Sequence, residues 1–336
     1  MTEAIVMRSV SKVYRDGMET KVGLHDLSLS VAGNRFAALV GPNGAGKSSA
    51  IKAIATLSRP TTGEVRVFGL DTVAAGARVR REIGYVGQET SCDLYATVQE
   101  NIRHHTSMYG LPARAAAQRA AELLDTFGLA RQAGMEVRRL SGGQRRRVDI
   151  AMALVHQPRL LILDEPTANL DPDARRRVWD ILGDLRQRQE LTILFSTHYL
   201  EEADGHADHV VFIDKGRCVA AAPPAQLKAE LGGESLLLDF GDGAPAMRAA
   251  RLLLGRGGAA APLTAGPRVI VPCSGAREIH ELLDLLRAGG VAPVSVTLSR
   301  PSLDDVYIRL TGASFEAADL EGQQAQLERR TGAWAW

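Results

Sequence analysis

Apolar residues in this chain fall into short unbroken runs separated by stretches of helical spacing. Phe36-Ala37-Ala38-Leu39-Val40 has no polar alternation, as a strand buried on both faces would require. Ile83-Gly84-Tyr85-Val86, Leu160–Leu163, Leu191–Phe195 and Val210–Ile213 repeat that pattern. Ser49–Leu57 follows the first run with apolar residues at helical spacing. From about Leu94 to Gln157 the pattern stays helical, most clearly over Ala113–Phe127. Residues 4–31 read as strands: Ile5, Val6 and Met7 begin one, and Leu27, Leu29 and Val31 alternate with polar residues in another. Val65 and Val67, after the Thr61-Thr62-Gly63 turn, read as an edge strand. Buried strands alternating with helices predict an α/β fold with a mainly parallel sheet covered on both faces.

The pattern changes after Ala222. Pro223-Pro224 and Gly232-Gly233 bracket a short linker helix, residues 223–232. Strand (Leu236–Phe240), helix (Ala244–Leu254), strand (Val269–Val271), helix (Ile279–Arg287) and strand (Val294–Leu298) then predict a small α+β domain, ferredoxin-like, over 233–312. The tail, residues 313–336, is polar and weakly patterned, which predicts poor order; Trp334 and Trp336 read as part of a frayed end. A length of 336 residues fits this division into a larger domain, 1–222, and a smaller one.

Composition adds mostly exclusions. A hydrophobic share of 45% and a charged share of 24% are those of an ordinary globular chain. The net charge of +1 gives no reason to expect a nucleic-acid partner. Cys92, Cys218 and Cys273 are far apart, so neither a zinc site nor a disulfide framework is indicated. No signal-peptide pattern opens the chain, and no run approaches the ~18 apolar residues of a membrane span. If the protein works at a membrane, another chain crosses it.

Three stretches carry chemistry. Gly41-Pro42-Asn43-Gly44-Ala45-Gly46-Lys47-Ser48 fits the phosphate-loop pattern G-x-x-x-x-G-K-S/T, between a predicted strand and a predicted helix that begins at Ser49. Glycines let backbone N–H groups close on phosphate oxygens, and the helix start adds unpaired donors and positive dipole. Lys47 supplies a charge for the outer phosphates, and the Ser48 hydroxyl suits Mg²⁺. Second, Leu160–Leu163 delivers Asp164 and Glu165 to the end of a buried strand, where ligands of α/β sheets bind. Asp164 is placed to hold Mg²⁺ with Ser48. Glu165, pointing elsewhere by strand alternation, is placed as general base toward the attacking water. Third, Ser141, in Leu140-Ser141-Gly142-Gly143-Gln144, caps a helix that continues through Arg145-Arg146-Arg147 and makes a second anion-binding helix start. The three arginines read as a solvated or phosphate-facing helix.

Together these residues resemble the nucleotide-binding subunit of an ATP-binding-cassette (ABC) transporter, over roughly residues 3–222. Leu140–Gln144 matches the family's signature sequence. The resemblance implies a P-loop fold with a parallel core sheet, an antiparallel β subdomain and a helical subdomain at about 90–157. It also implies further roles. Tyr14 stacks on adenine, unless it is an ordinary strand tyrosine. Gln88 is the glutamine that touches Mg²⁺ or the water and faces the membrane subunit. Ala168-Asn169-Leu170-Asp171 is the D-loop, and His198 in Ser196-Thr197-His198 contacts the γ-phosphate. ATP contacts are thereby implied for Gly41 through Ser49, including Ser49, and for Ser141 through Gln144 and Asp171.

In the family each signature segment completes a partner's site, which implies a head-to-tail homodimer around two ATPs. It further implies separate integral membrane permease subunits and a peripheral position on the cytoplasmic face of the membrane. The Arg145–Ala151 run and the ending Ser302-Leu303-Asp304-Asp305-Val306-Tyr307-Ile308-Arg309-Leu310-Thr311-Gly312 resemble the ABC-2 exporter group, including drug-resistance ATPases of the daunorubicin type. A soluble ABC ATPase acting on nucleic acid or ribosomes would show two cassettes, a coiled-coil insertion or zinc cysteines. An importer ATPase with a regulatory tail fits the C-terminal motif less well.

Overall fold

The computed structural model describes residues 3–16, 19–188, 190–231, 234–255, 262–273, 276–299 and 301–332. Gly232-Gly233, Trp334 and Trp336 lie outside them. The chain opens with two long strands, β1 (Glu3–Asp16) and β2 (Glu19–Ala32). β3 (Phe36–Val40) leads into α1 (Lys47–Ile54), followed by β4 (Thr62–Val67), β5 (Leu70–Asp71), α2 (Gly76–Glu82) and β6 (Ile83–Val86). Helices α3 (Val98–Met108), α4 (Ala113–Thr126) and α5 (Gly142–Ala153) fill the predicted helical stretch. Then come β7 (Leu160–Asp164), α6 (Pro172–Arg188), β8 (Thr192–Thr197), α7 (Leu200–His206), β9 (His209–Asp214) and β10 (Arg217–Ala222). The C-terminal third contains α8 (Pro224–Ala229), β11 (Glu234–Asp239), α9 (Gly243–Leu254), β12 (Leu263–Ala265), β13 (Arg268–Cys273), α10 (Ala276–Ala288), β14 (Ser295–Ser299), α11 (Leu303–Thr311) and α12 (Phe315–Gly332).

The central sheet has the order β10-β9-β3-β8-β7-β6, parallel except for β10. Alternation along its buried strands feeds two cores. Phe36, Ala38, Val40, Leu161, Leu163, Ile193 and Phe195 face the helical side, while Ala37, Leu39, Leu160, Ile162 and Leu194 face α1 and the N-terminal sheet. Having two apolar faces is why these strands read as unbroken runs. That N-terminal sheet is antiparallel, order β2-β1-β4-β5. β4 is therefore not the edge strand that its pattern predicts, because Leu70 and Asp71 turn back and pair with it.

A third sheet, order β12-β13-β11-β14, is antiparallel throughout, with α9 and α10 packed on it in the split β-α-β arrangement that the C-terminal pattern predicts. Helix α11 does not belong to that unit alone. Its Leu303, Val306 and Tyr307 are buried in the helical-side core of the central sheet, and Ile308 packs with Ala265 and Ile270 of the third sheet. The C-terminal motif is thus a bridge between the two. The tail differs from expectation more sharply, since residues 315–332 form a helix. Its polar composition hides the anchor: Phe315 is buried against Tyr307, with ring centroids 5.0 Å apart. No described helix is long and apolar enough to cross a membrane.

Candidate functional site

Sheet order assembles the site. β3 pairs with β8 so that Val40 lies opposite Thr197, and β8 pairs with β7 so that Ser196 lies opposite Asp164. The phosphate loop, the turn at His198 and the Asp164-Glu165 pair therefore leave three neighbouring strands at the same end. β6 pairs with β7, placing the chain just before Gln88 beside them.

In the loop, Gly46 has φ +112°, and a Cβ there would lie 2.6 Å from the Gly23 carbonyl oxygen, so no other residue fits. Helix α1 starts at Lys47, whose ammonium is buried and donates to the carbonyls of Gly41 (2.6 Å) and Pro42 (3.2 Å). Burial lowers its pKa, and the carboxylates of Glu165, Asp319 and Asp164 oppose that shift. Beside the loop is a cavity of about 440 Å³, lined by residues 42–49 together with Tyr14, Gln88 and Glu165. The Tyr14 hydroxyl donates to Ser49 Oγ at 3.2 Å.

Asp164 is buried; its Oδ1 accepts from Ser196 Oγ at 2.6 Å and from Ser48 Oγ at 3.3 Å. Burial raises its pKa despite both hydrogen bonds. A buried carboxylate beside a hydroxyl, in a pocket that disfavours bare negative charge, fits a hard divalent cation such as Mg²⁺. Glu165 follows the strand rather than belonging to it. Its φ is +49°, so its direction comes from a left-handed residue and not from strand alternation. Its Oε1 lies 3.8 Å from Lys47 Nζ and 3.5 Å from His198 Nδ1. Burial pushes its pKa up, but His198 and Lys47 outweigh that effect and hold it below the ordinary glutamate range. Glu165 is therefore ionised. His198 Nδ1 makes no hydrogen bond among the described residues.

The signature segment lies elsewhere. Ser141 and Gln144 close a capping box at the start of α5: Ser141 Oγ accepts the Gln144 N–H, and Gln144 Oε1 accepts the Ser141 N–H. Ser141 and Gly142 are exposed, and neither lines the cavity of its own chain. Gly143 is buried, and a Cβ there would lie 2.5 Å from the Ala174 Cβ on α6. Asp171 also lies off the cavity and accepts the Ala174 N–H at 2.9 Å, near the start of α6.

Sequence reasoning missed the groups that hold the site together. Arg146 is 7% exposed rather than solvated. Its guanidinium donates to the carbonyls of Gly87 (2.6 Å), Pro166 (2.8 Å), Asp164 (3.0 Å) and Glu165 (3.2 Å). It thus clamps the signature helix to both the Asp164-Glu165 turn and the start of the Gln88 loop. One helical turn on, buried Asp149 accepts from Thr90 Oγ1 (3.1 Å) and from the Ser91 backbone N–H (2.9 Å) and hydroxyl (3.1 Å). Glu202 is buried too: it accepts from Thr167, from Thr197 (2.8 Å) and from Trp179 Nε1 (3.4 Å), linking the turn after Glu165 to the turn before His198. A run of three arginines shows no sign of which one faces inward; helical phase against the sheet decides that.

Titratable groups farther from the loop serve the packing. Cys92 is buried, and burial with Asp149 nearby pushes its thiol up to about 12, so it is not a reactive thiolate. His206 stacks on Trp179, while Asp208 accepts the Phe36 N–H and pairs with Arg186.

Comparison with known proteins agrees with this geometry. A family model described as "ABC transporter" matches residues 24–168. The chain is 39% identical over 334 residues to the daunorubicin/doxorubicin resistance ATP-binding protein DrrA of Streptomyces peucetius, covering 98% of each chain. It is 33% identical over 316 residues to the Nod factor export ATP-binding protein I of Neorhizobium galegae, covering 94% of this chain and 87% of that one. A dimeric post-hydrolysis structure of the ATP-binding cassette MJ0796, bound to ADP and Pi, superimposes with a TM-score of 0.60 at 27% identity, covering 65% of this chain and 98% of that one. With its triphosphate loop and carboxylate pair assembled on one sheet and the start of its signature helix exposed, the chain belongs to the ABC transporter family, as an ATP-hydrolysing, ATP-binding subunit.

Proposed function

We propose that this protein drives export through separate integral membrane subunits, from a peripheral position on the cytoplasmic face. Two copies close head to tail around two ATP molecules. The observation that carries this reading is the division of the machinery. Lys47, Ser48 and Glu165 line one cavity, with Asp164 bonded to Ser48 and His198 3.5 Å from Glu165, whereas Ser141 and Gly142 stand exposed away from it. A second copy brings the missing helix start to the phosphates.

Within the closed pair, Tyr14 supports the adenine and the loop amides of residues 44–49 hold the phosphates. Lys47 exchanges its carbonyl partners for phosphate oxygens. Ser48, Asp164 and Gln88 would hold Mg²⁺, which would supply charge neutralisation for the phosphates. The Glu165 carboxylate accepts the proton of the attacking water, and His198 hydrogen-bonds the γ-phosphate and keeps Glu165 ionised. With each site at 100 times its dissociation constant, two ATPs favour the closed pair by about 5 kcal/mol, and hydrolysis removes that bias. The cargo is a drug-like small molecule, a reading that rests on likeness to relatives named for daunorubicin and doxorubicin resistance. The test is capture of the Glu165→Gln variant from detergent-solubilised membranes with ATP and Mg²⁺. A stoichiometric polytopic membrane protein is expected; only soluble or ribosomal partners would overturn transport and leave the ATPase intact.

A further inference from the structure

Helix α12 lies across the phosphate loop. Its Asp319 carboxylate accepts the Asn43 backbone N–H at 2.8 Å. One turn on, Gly322 meets the same residue so closely that a Cβ there would lie 2.1 Å from the Asn43 carbonyl oxygen. Asp319, Leu320 and Gln323 also share a second cavity of about 850 Å³ with His198 and Tyr199. The 440 Å³ cavity beside the loop has no α12 residue in its lining.

The seat of this helix is the C-terminal motif. Ser302 and Asp305 form the capping box of α11, and Asp304 Oδ1 accepts the Phe315 N–H at 3.0 Å. Tyr307 is 1% exposed and reaches toward Asp214 of β9, with its hydroxyl 3.5 Å from Oδ1. Gly312, at φ +78°, ends α11, and the chain reverses into α12. The start of α12 is thus fixed to the nucleotide-binding core, while its Asp319–Gly322 turn rests on a loop suited to anions.

We infer that α12 is an intramolecular cap that leaves room for nucleotide in its own chain but occupies the face of the phosphate loop that the partner's signature segment must approach. This rests on the head-to-tail reading above. Asp319 puts a carboxylate where the loop meets its surroundings, and Gly322 permits backbone contact that a side chain would prevent. Closing the pair then requires α12 to swing off Asn43 about the Gly312–Ser314 turn. The apparent affinity for ATP in dimer formation is reduced by the fraction of chains left uncapped: a cap present on nine-tenths of chains raises the ATP requirement about tenfold.

The experiment compares three proteins in the Glu165→Gln background by analytical ultracentrifugation during ATP-Mg²⁺ titration. They are the full chain, a chain ending at Ala317, which keeps Phe315, and the full chain carrying Gly322→Leu. The leucine favours helix but cannot rest on Asn43. Both altered proteins should dimerise at several-fold lower ATP than the full chain. Equal midpoints, or weaker dimerisation of the altered proteins, would overturn the cap. Failure of the head-to-tail reading has a separate signature: none of the three proteins dimerises with ATP, and both ideas fall.

Discussion

At the residue scale, the proposed hydrolysis depends on a carboxylate held in an unusual backbone conformation. Glu165 has φ +49° and lies between Lys47 and His198. Replacement by glutamine keeps the shape and removes the proton acceptor. Turnover should therefore fall by about 10²–10⁴ while ATP still binds, as measured by steady-state phosphate release and fluorescent-nucleotide titration. Unimpaired turnover would reassign the base. Cys92 makes the opposite kind of prediction. With its pKa at about 12, its thiolate fraction at pH 8 is about 10⁻⁴. Iodoacetamide at pH 8 should leave Cys92 unmodified in the native protein and alkylate it after unfolding, as read by peptide mass spectrometry. The thiolate fraction grows as pH rises toward the raised pKa, so any native labelling should increase with alkali.

At the element scale, the signature helix is the part whose sequence reading needed most revision. Arg146→Met should strip four backbone carbonyls of their buried donor, at a cost of at least ~2 kcal/mol, since each unsatisfied buried group costs about 1–3 kcal/mol. Because those carbonyls belong to the Gly87 and Asp164–Pro166 backbone, kcat should drop more than nucleotide affinity does. A loss of affinity with normal kcat would argue that Arg146 serves only the fold. Gly143→Ala tests the helix contact from the other side. Its new methyl would sit 2.5 Å from Ala174 Cβ, and overpacking of this kind costs about 1–3 kcal/mol. Ala174→Gly should restore much of that stability in the double variant, measured by denaturant midpoints. Both effects were hidden in the sequence because a helix pattern shows spacing, not which flank a neighbouring helix will press.

At the scale of the whole molecule, the proposed head-to-tail pair is what brings exposed Ser141 and the cavity around Lys47 into one reaction. Glu165→Gln should accordingly be monomeric without nucleotide and dimeric with ATP and Mg²⁺. Ser141→Arg should abolish that dimer and the wild-type turnover while leaving nucleotide binding by the monomer intact, measured by ultracentrifugation and fluorescence titration. Hydrolysis by a dilute, fully monomeric protein at an unchanged specific rate would sink the head-to-tail arrangement.

The sequence by itself carried the family's motifs and most of the scaffold. The phosphate loop, Asp164, Glu165 and Ser141 could be read because each uses a local pattern: a glycine spacing, carboxylates closing an apolar strand, a cap before a helix; Gln88 and His198 could be picked out only through the resemblance to the ABC family. The buried strands could be read because a strand covered on both faces must be apolar throughout. Tertiary structure decided what no local pattern encodes. It put Arg146 inside rather than in water and Gly143 against Ala174. It also made Glu202 a shared acceptor for groups from three elements. Helix α12 belongs with these: its polar residues show little periodicity, because what places it is one buried phenylalanine and the contacts of Asp319 and Gly322 with a loop some 280 residues earlier in the chain. Long-range partners of this kind leave no spacing in the sequence, since the energy that selects them comes from surfaces that meet only after the chain has folded.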